Sequence, residues 1–285
     1  MASLRLSKAL LRRLRLPIFS ALLVALPTLR AVEAAPVKIL PVPGETFLVD
    51  GLTAFVIPAK PKAQGEGRTP WVWYAPTLRG LPDKEEQWLL TRLTEAGIAI
   101  AGIDVGESFG SPEGRVGFSA LYDELTQRRT FALRPVLLGR SRGGLMALSW
   151  AAENPEKVAA FAGIYPVCSL VSYPGLAKAA PAYGLTPAQL ETQLAEHNPI
   201  DRLAPLARAR VPLLMIHGDI DTLVPLEDNS LEVRTRYFAL GGQCRVIIAR
   251  GQGHNRWAGF FQNEELTDFV IRHARPGRRS GDAPR

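Results

Sequence analysis

The sequence predicts an α/β fold: a mostly parallel, twisted sheet with helices on both faces. Three observations predict it. Apolar runs of four to eight residues alternate with segments of helical spacing. The runs are almost uninterrupted by polar residues, as in strands covered on both faces. One of them, Val136-Leu137-Leu138, leads straight into Gly139-Arg140-Ser141-Arg142-Gly143-Gly144 and then a helical segment, a strand–turn–helix signature.

The elements follow in order. Thr46 to Ile57 reads as a hairpin or pair of edge strands turning near Asp50-Gly51. Pro58 to Pro70 is a loop. Trp71 to Ala75 is a buried strand, rich in β-forming residues. Lys84 to Glu95 carries Trp88, Leu89, Leu90 and Leu93 at helical spacing. Ile98 to Ile103 is a strand and Phe118 to Arg129 a helix. The strand from Val136 and the helix Leu145 to Glu153 flank the glycine-rich turn. Val158 to Tyr165, Val211 to Ile216 and Val246 to Ala249 are strands. Thr186 to His197 is a helix with Pro187 at its first position. Leu231 to Leu240 and Trp257 to His273 are the last helices. Residues 169–210 exceed what a crossover needs and read as a small helical cap.

The chain has 285 residues, 47% of them apolar and 21% charged. This suits one folded domain with a full core. That length leaves no room for a propeller beside it. The net charge of +7 is misleading. Residues 1–34 carry +5, the tail 275–285 carries +3, and the remainder is −1. A nucleic-acid binder would carry its cations on the folded body, so no nucleic-acid partner is expected.

Residues 1–34 have a basic start, a short apolar run and Val32-Glu33-Ala34 before a cut site. That is the layout of a secretory signal peptide. The expectation is export to a periplasm or the outside, one domain over 35–274, and a disordered basic tail over 275–285. No stable membrane insertion is expected after cleavage, since no apolar run reaches about 18 residues. Cys168 and Cys244 are expected to be free and buried. No Cys/His cluster suggests a metal, and no cofactor is expected.

The chemistry centres on Gly139-x-Ser141-x-Gly143. A tight strand-to-helix turn exposes the serine at a helix N-terminus, and flanking side chains would collide with neighbouring elements. A hydroxyl nucleophile needs a base, and the chain has four histidines. His197 and His273 end helices, and His217 closes a strand as buried support. His254, in Gly251-Gln252-Gly253-His254-Asn255, lies just past a strand at the same sheet edge as Ser141, and is the expected base. Asp221, four residues beyond His217, is the expected orienting acid; Asp219, nearer the strand, is the expected turn cap.

The order Ser141, Asp221, His254 and the segment His217-Gly218-Asp219-x-Asp221-x-x-Val224-Pro225 resemble the α/β-hydrolase superfamily. The second half is similar to its prolyl-oligopeptidase-like and dienelactone-hydrolase-like branches. The resemblance covers roughly residues 71–272. It implies Ser141 as nucleophile, His254 as base and Asp221 as acid. It also implies an oxyanion hole built from the Arg142 amide and a second amide in the loop after the Trp71 strand. That loop lacks the familiar His-Gly and reads Ala75-Pro76-Thr77-Leu78. Pro76 has no N–H, so Leu78 or Thr77 is left, with Leu78 favoured.

Arg140 and Arg142 flank the nucleophile. Either they pair with local acids, Asp104 and Glu107 among them, or Arg142 faces the site and reads a substrate carboxylate. Ser-Arg-x-Gly also resembles the elbow of glucuronoyl esterases. Arg142, Glu107 and Trp257 are the candidate substrate-binding residues. The expected function is a secreted serine hydrolase cleaving small-molecule or carbohydrate-linked carboxylic esters through an acyl-enzyme. The alternatives are a prolyl-oligopeptidase-type peptidase without propeller and a non-catalytic binding protein on the same scaffold.

Overall fold

The computed structural model describes residues 38–60 and 67–275. The expected leader over 1–34 and the tail beyond Arg275 lie outside the described residues. Among the described residues, eight strands form one sheet: β1 (Glu45–Val49), β2 (Leu52–Ile57), β3 (Trp71–Tyr74), β4 (Ala99–Ile103), β5 (Val136–Arg140), β6 (Ala160–Ile164), β7 (Leu213–Gly218) and β8 (Cys244–Ala249). Their order is β1-β2-β4-β3-β5-β6-β7-β8. β3 to β8 run parallel, and β1 and β2 add an antiparallel edge. The β1–β2 hairpin turns at Asp50 and Gly51, with φ of 49° and 79°. These are the two left-handed positions of a tight hairpin.

Every residue of β3 to β7 is buried, which is why those strands read as apolar runs broken only by Arg140 and His217 near the ends of β5 and β7. Side chains alternate between two cores. Trp71 and Trp73 join one with Phe118, Met146, Trp150 and Tyr237. Val72 and Tyr74 join the other with Leu89, Leu93, Phe260 and Val270. The first core takes helices α2 (Pro112–Asp123), α3 (Gly143–Glu153), α7 (Ala204–Arg208) and α8 (Glu232–Ala239). The second takes α1 (Gln87–Glu95), α9 (Ala258–Phe261) and α10 (Glu264–Ala274). Helices therefore cover both faces, and the fold is that of an α/β hydrolase.

Three helices differ from the sequence expectation. α2 begins six residues before Phe118, with the Ser111 hydroxyl accepting from the Gly114 amide. Gly114 and Gly117 weaken the apolar pattern there. They are needed for packing: a Cβ on Gly114 would lie 2.5 Å from Ser108, and one on Gly117 2.7 Å from Val105. The helix expected over Thr186–His197 breaks at Gln193 into α5 (Pro187–Thr192) and α6 (Leu194–His197). The one expected over Trp257–His273 breaks at Gln262, and Asn263 caps a fresh start by accepting from the Leu266 amide. Cys168 and Cys244 are free, but only Cys168 is buried; Cys244 opens edge strand β8 and is half-buried.

The segment 169–210 holds α4 (Leu176–Ala179), α5, α6 and α7. Leu170, Ala179, Ala180 and Leu190 pack with Phe109, Leu145 and Val224 in a separate small core. The Tyr183 hydroxyl donates to the Phe109 carbonyl at 2.9 Å. This cap stands beside the amino end of α3, at the carboxyl edge of the sheet.

Candidate active site

Ser141 stands between β5 and α3 with φ of 51°. A left-handed conformation of this kind costs a non-glycine residue about 1–3 kcal/mol. The turn around it is closely bonded. The Ser141 amide donates to the Ile164 carbonyl at 3.0 Å, and its carbonyl accepts from Gly144 (2.9 Å) and Val167 (2.8 Å). The flanking glycines are sterically required. A Cβ on Gly139 would sit 2.9 Å from the Gly143 backbone, and one on Gly143 2.7 Å from the Ala75 carbonyl oxygen.

The structure brings together three residues from the carboxyl ends of β5, β7 and β8. Ser141 Oγ lies 2.9 Å from His254 Nε2, and His254 Nδ1 lies 2.8 Å from Asp221 Oδ2. Nδ1 faces an acceptor-only carboxylate, so it carries the proton and Nε2 is free to accept from the hydroxyl. The Asp221 carboxylate is fully buried. Its Oδ1 accepts from the Leu223 (3.0 Å) and Val224 (2.9 Å) amides. Burial alone would push its pKa up. The bonds from the histidines and the Val224 amide outweigh burial and hold it well below the usual carboxylate range.

His217, fully buried, stands 3.4 Å behind the same carboxylate. Its Nε2 donates to the Val224 carbonyl (2.8 Å), and Ser230 Oγ lies 2.8 Å from its Nδ1. It fixes the acid loop and does not meet Ser141. Asp219 accepts from the Gly251 amide at 2.6 Å and pairs with Arg250 at 3.3 Å, so it caps the histidine loop.

Ser141 opens on a cleft of about 410 Å³, lined in part by Thr77, Leu78, Arg142 and His254. Among the described residues, no backbone acceptor meets the amides of Thr77, Leu78 or Arg142. These are the amides that sequence reasoning offered to an oxyanion. No residue of the 169–210 cap lines the cleft.

The two flanking arginines take different partners. Arg142 pairs with Glu107 at 2.5 Å. Burial pushes the Glu107 carboxyl up, against the pull of Arg142 and Lys178. Arg140 turns to acids that sequence reasoning did not name: Glu86 at 2.7 Å and Asp83 at 3.4 Å. Asp104 pairs instead with Lys38 at 2.7 Å. Glu107 holds Arg142 and does not itself line the cleft. Trp257 also lies outside it, 44% exposed, its ring edge against Phe260.

Sequence reasoning also missed Tyr165, Asn255 and Arg256, which line the cleft. Tyr165 follows β6 with φ of 34°, and its ring lies 4.4 Å from that of His254. Burial is the main cause that pushes its hydroxyl up to about 12. In the sequence it read only as the last residue of the strand Val158 to Tyr165. Among the described residues, no group of three or more His, Cys, Asp or Glu could hold a metal ion. No described helix is long and apolar enough to cross a membrane.

Several solved structures share this fold. A puromycin-hydrolyzing peptidase of Mycobacterium tuberculosis is 17% identical at a TM-score of 0.61, over 81% of this chain and 38% of its own. The acylaminoacyl peptidase of Pyrococcus horikoshii is 17% identical at 0.63, over 81% and 41%. The chain thus spans about two fifths of the length of these peptidases. MPT51 of Mycobacterium tuberculosis is 14% identical at 0.63, over 82% of this chain and 99% of its own. No curated protein matches the chain. The profile of the prolyl oligopeptidase family matches residues 118–273, more than half of the sequence and the stretch that holds Ser141, Asp221 and His254. The chain belongs to the prolyl oligopeptidase family, a family of serine hydrolases.

Proposed function

We propose that this chain hydrolyses carboxylic esters through an acyl-enzyme on Ser141. The observation that carries the reading is the continuous relay from Ser141 through His254 to Asp221 at the mouth of an open cleft. The Ser141 hydroxyl gives its proton to His254 Nε2 as Oγ bonds to the ester carbonyl carbon. Asp221 stabilises the imidazolium that forms. The carbonyl oxygen, now an oxyanion, takes hydrogen bonds from the Arg142 amide and from Leu78 or Thr77, each donor worth about 10²–10³ in rate. His254 then protonates the departing alkoxide. Water, deprotonated by the same nitrogen, releases the acid and restores Ser141.

With Arg142 held by Glu107, the reading rests on neutral acyl groups, esters carried on sugars among them. A second reading, cleavage of short peptides by the same relay, is supported by the family match over residues 118–273. Export is a further part of the proposal, and only the layout of residues 1–34 supports it.

The test is fluorophosphonate labelling of the protein from residue 35 onward, beside Ser141→Ala, read by intact mass. One adduct on the wild type and none on Ser141→Ala supports the reading. A folded wild type that stays unlabelled would refute it and favour a binding role. Neutral esters, acetylated sugars and a peptide panel then separate the two hydrolytic readings. Faster turnover of peptides than of any ester would reject the first.

A further inference from the structure

We propose that Arg140 is a positioning residue that sets the oxyanion loop against the nucleophile by acting through Glu86. The proposal rests on the serine-hydrolase reading above and adds what holds the two halves of that site in register.

Arg140 is the last residue of β5, one before Ser141, and is almost fully buried. Its Nη1 lies 2.7 Å from Glu86 Oε1 and 3.4 Å from Asp83 Oδ1. Its Nε donates to the Tyr165 hydroxyl at 3.1 Å, and its guanidinium stands 4.9 Å over the Phe261 ring. Glu86 has no exposed side-chain surface. Its Oε1 also accepts from the Tyr74 hydroxyl at 2.8 Å, and its Oε2 from the Asp83 amide at 2.9 Å.

Tyr74 and Asp83 bracket the loop that carries Thr77 and Leu78. One carboxylate therefore grips both ends of the loop offering the second oxyanion donor. Arg140 ties that carboxylate to the residue beside Ser141. Its third branch reaches the base, since the Tyr165 ring packs 4.4 Å from His254. One guanidinium thus connects nucleophile, oxyanion loop and base. This gives a physical reason for an ion pair where apolar side chains would serve stability as well or better: a forked donor fixes directions that apolar contacts leave loose.

Arg140 also lines the cleft, yet the arrangement acts on geometry. Both Nε and Nη1 are committed to protein partners. Loss of the fork should let the loop drift from the oxyanion, and small misplacements of this kind cost up to about 10²-fold in rate.

The experiment compares wild type, Arg140→Met, Glu86→Gln and the double variant, each as the full chain. Readouts are thermal midpoint, fluorophosphonate labelling rate, and kcat and KM on a chromogenic neutral ester. Arg140→Met should lower kcat and labelling about 10- to 100-fold while KM moves less than about threefold. It should also lower the midpoint, because Glu86 is left buried beside no cation. In the double variant the midpoint should recover and kcat should not.

Recovery of kcat together with the midpoint would reduce Arg140 to a structural ion pair and overturn the proposal. A rise in KM larger than the fall in kcat would overturn it too, in favour of substrate binding. If Arg140→Met does not fold, Arg140→Lys keeps the charge but loses the fork. A several-fold lower kcat at unchanged KM supports the proposal, and wild-type kcat overturns it. An unlabelled wild type would overturn both the hydrolase reading and this proposal. A labelled wild type with unaffected variants overturns this proposal alone.

Discussion

Asp221→Asn should reduce kcat by three to four orders of magnitude while leaving a folded protein, and the structure says why. Asp221 Oδ1 accepts two backbone amides, from Leu223 and Val224, and Oδ2 accepts the His254 Nδ1 proton. An asparagine has one carbonyl oxygen. Two amides hold that oxygen at the Oδ1 position, so the NH₂ falls opposite His254 Nδ1. Two donors would then face each other. The imidazole escapes by moving its proton to Nε2, where it can no longer accept from Ser141, 2.9 Å away. Loss of the productive tautomer is worth about 10⁴ in kcat, or about 5.5 kcal/mol of barrier.

Asp219→Asn makes the contrast. Its carboxylate accepts from the Gly251 amide and meets an exposed arginine, and an asparagine oxygen can keep the Gly251 bond. A loss within about fivefold is expected, since exposed ion pairs contribute about 1 kcal/mol or less. The assay is kcat on a chromogenic ester for both variants, with circular dichroism to check the fold. If Asp219→Asn proves the more damaging of the two, the acid has been misassigned. Equal small losses would mean that the imidazole needs no carboxylate.

Three further outcomes follow from the same geometry. Gly143→Ala drives a Cβ to 2.7 Å from the Ala75 carbonyl oxygen. Overpacking should lower stability by about 1–3 kcal/mol in urea unfolding, and ester turnover should slow because Ala75 opens the oxyanion loop. His197 has its pKa lowered, first by burial and then by Arg115, against weaker pulls from Glu196 and Glu153. The unfolded chain then takes up a proton near pH 6.5 that the folded one resists, so stability should fall as pH drops below about 6.5. His197→Gln should lose less of its thermal midpoint between pH 7.5 and 5.5 than wild type. Burial raises both thiols, Cys244 to about 12. Iodoacetamide at pH 8 should leave the folded protein unmodified by intact mass and add two groups in denaturant, whereas a disulfide would add none.

The sheet was legible because burial on both faces leaves its mark directly in composition. Each of β3 to β7 is buried throughout and, apart from Arg140 at the end of β5 and His217 near the end of β7, each is an apolar run of ordinary strand length. The helices were less legible where glycine and proline serve packing instead of turns. The expected helix began only at Phe118, six residues late, yet Gly114 and Gly117 let α2 approach Ser108 and Val105 to distances no side chain permits. The helix break at Gln193 carries no strong local signal, because glutamine neither stops nor caps a helix; the break at Gln262 did carry one, since Asn263 before Glu264 and Glu265 is a helix-start pattern that the apolar spacing masked.

The site divides in the same way. Ser141, Asp221 and His254 could be named because each sits a few residues past a strand end, in segments whose glycines and order fix their places. Glu86 and Tyr165 could not. Glu86 lies in Lys84-Glu85-Glu86-Gln87, whose composition is that of a solvated helix start, and nothing in that composition favours burying one of two adjacent glutamates. Its partner, Arg140, lies 54 residues away in sequence. Only the parallel register of β3 beside β5, Tyr74 opposite Leu138, brings the two together. Local chemistry therefore predicted which side chains meet at the mouth of the cleft. The groups that hold them in place are chosen by strand order, and a substitution such as Arg140→Met tests that long-range part of the design separately from the relay itself.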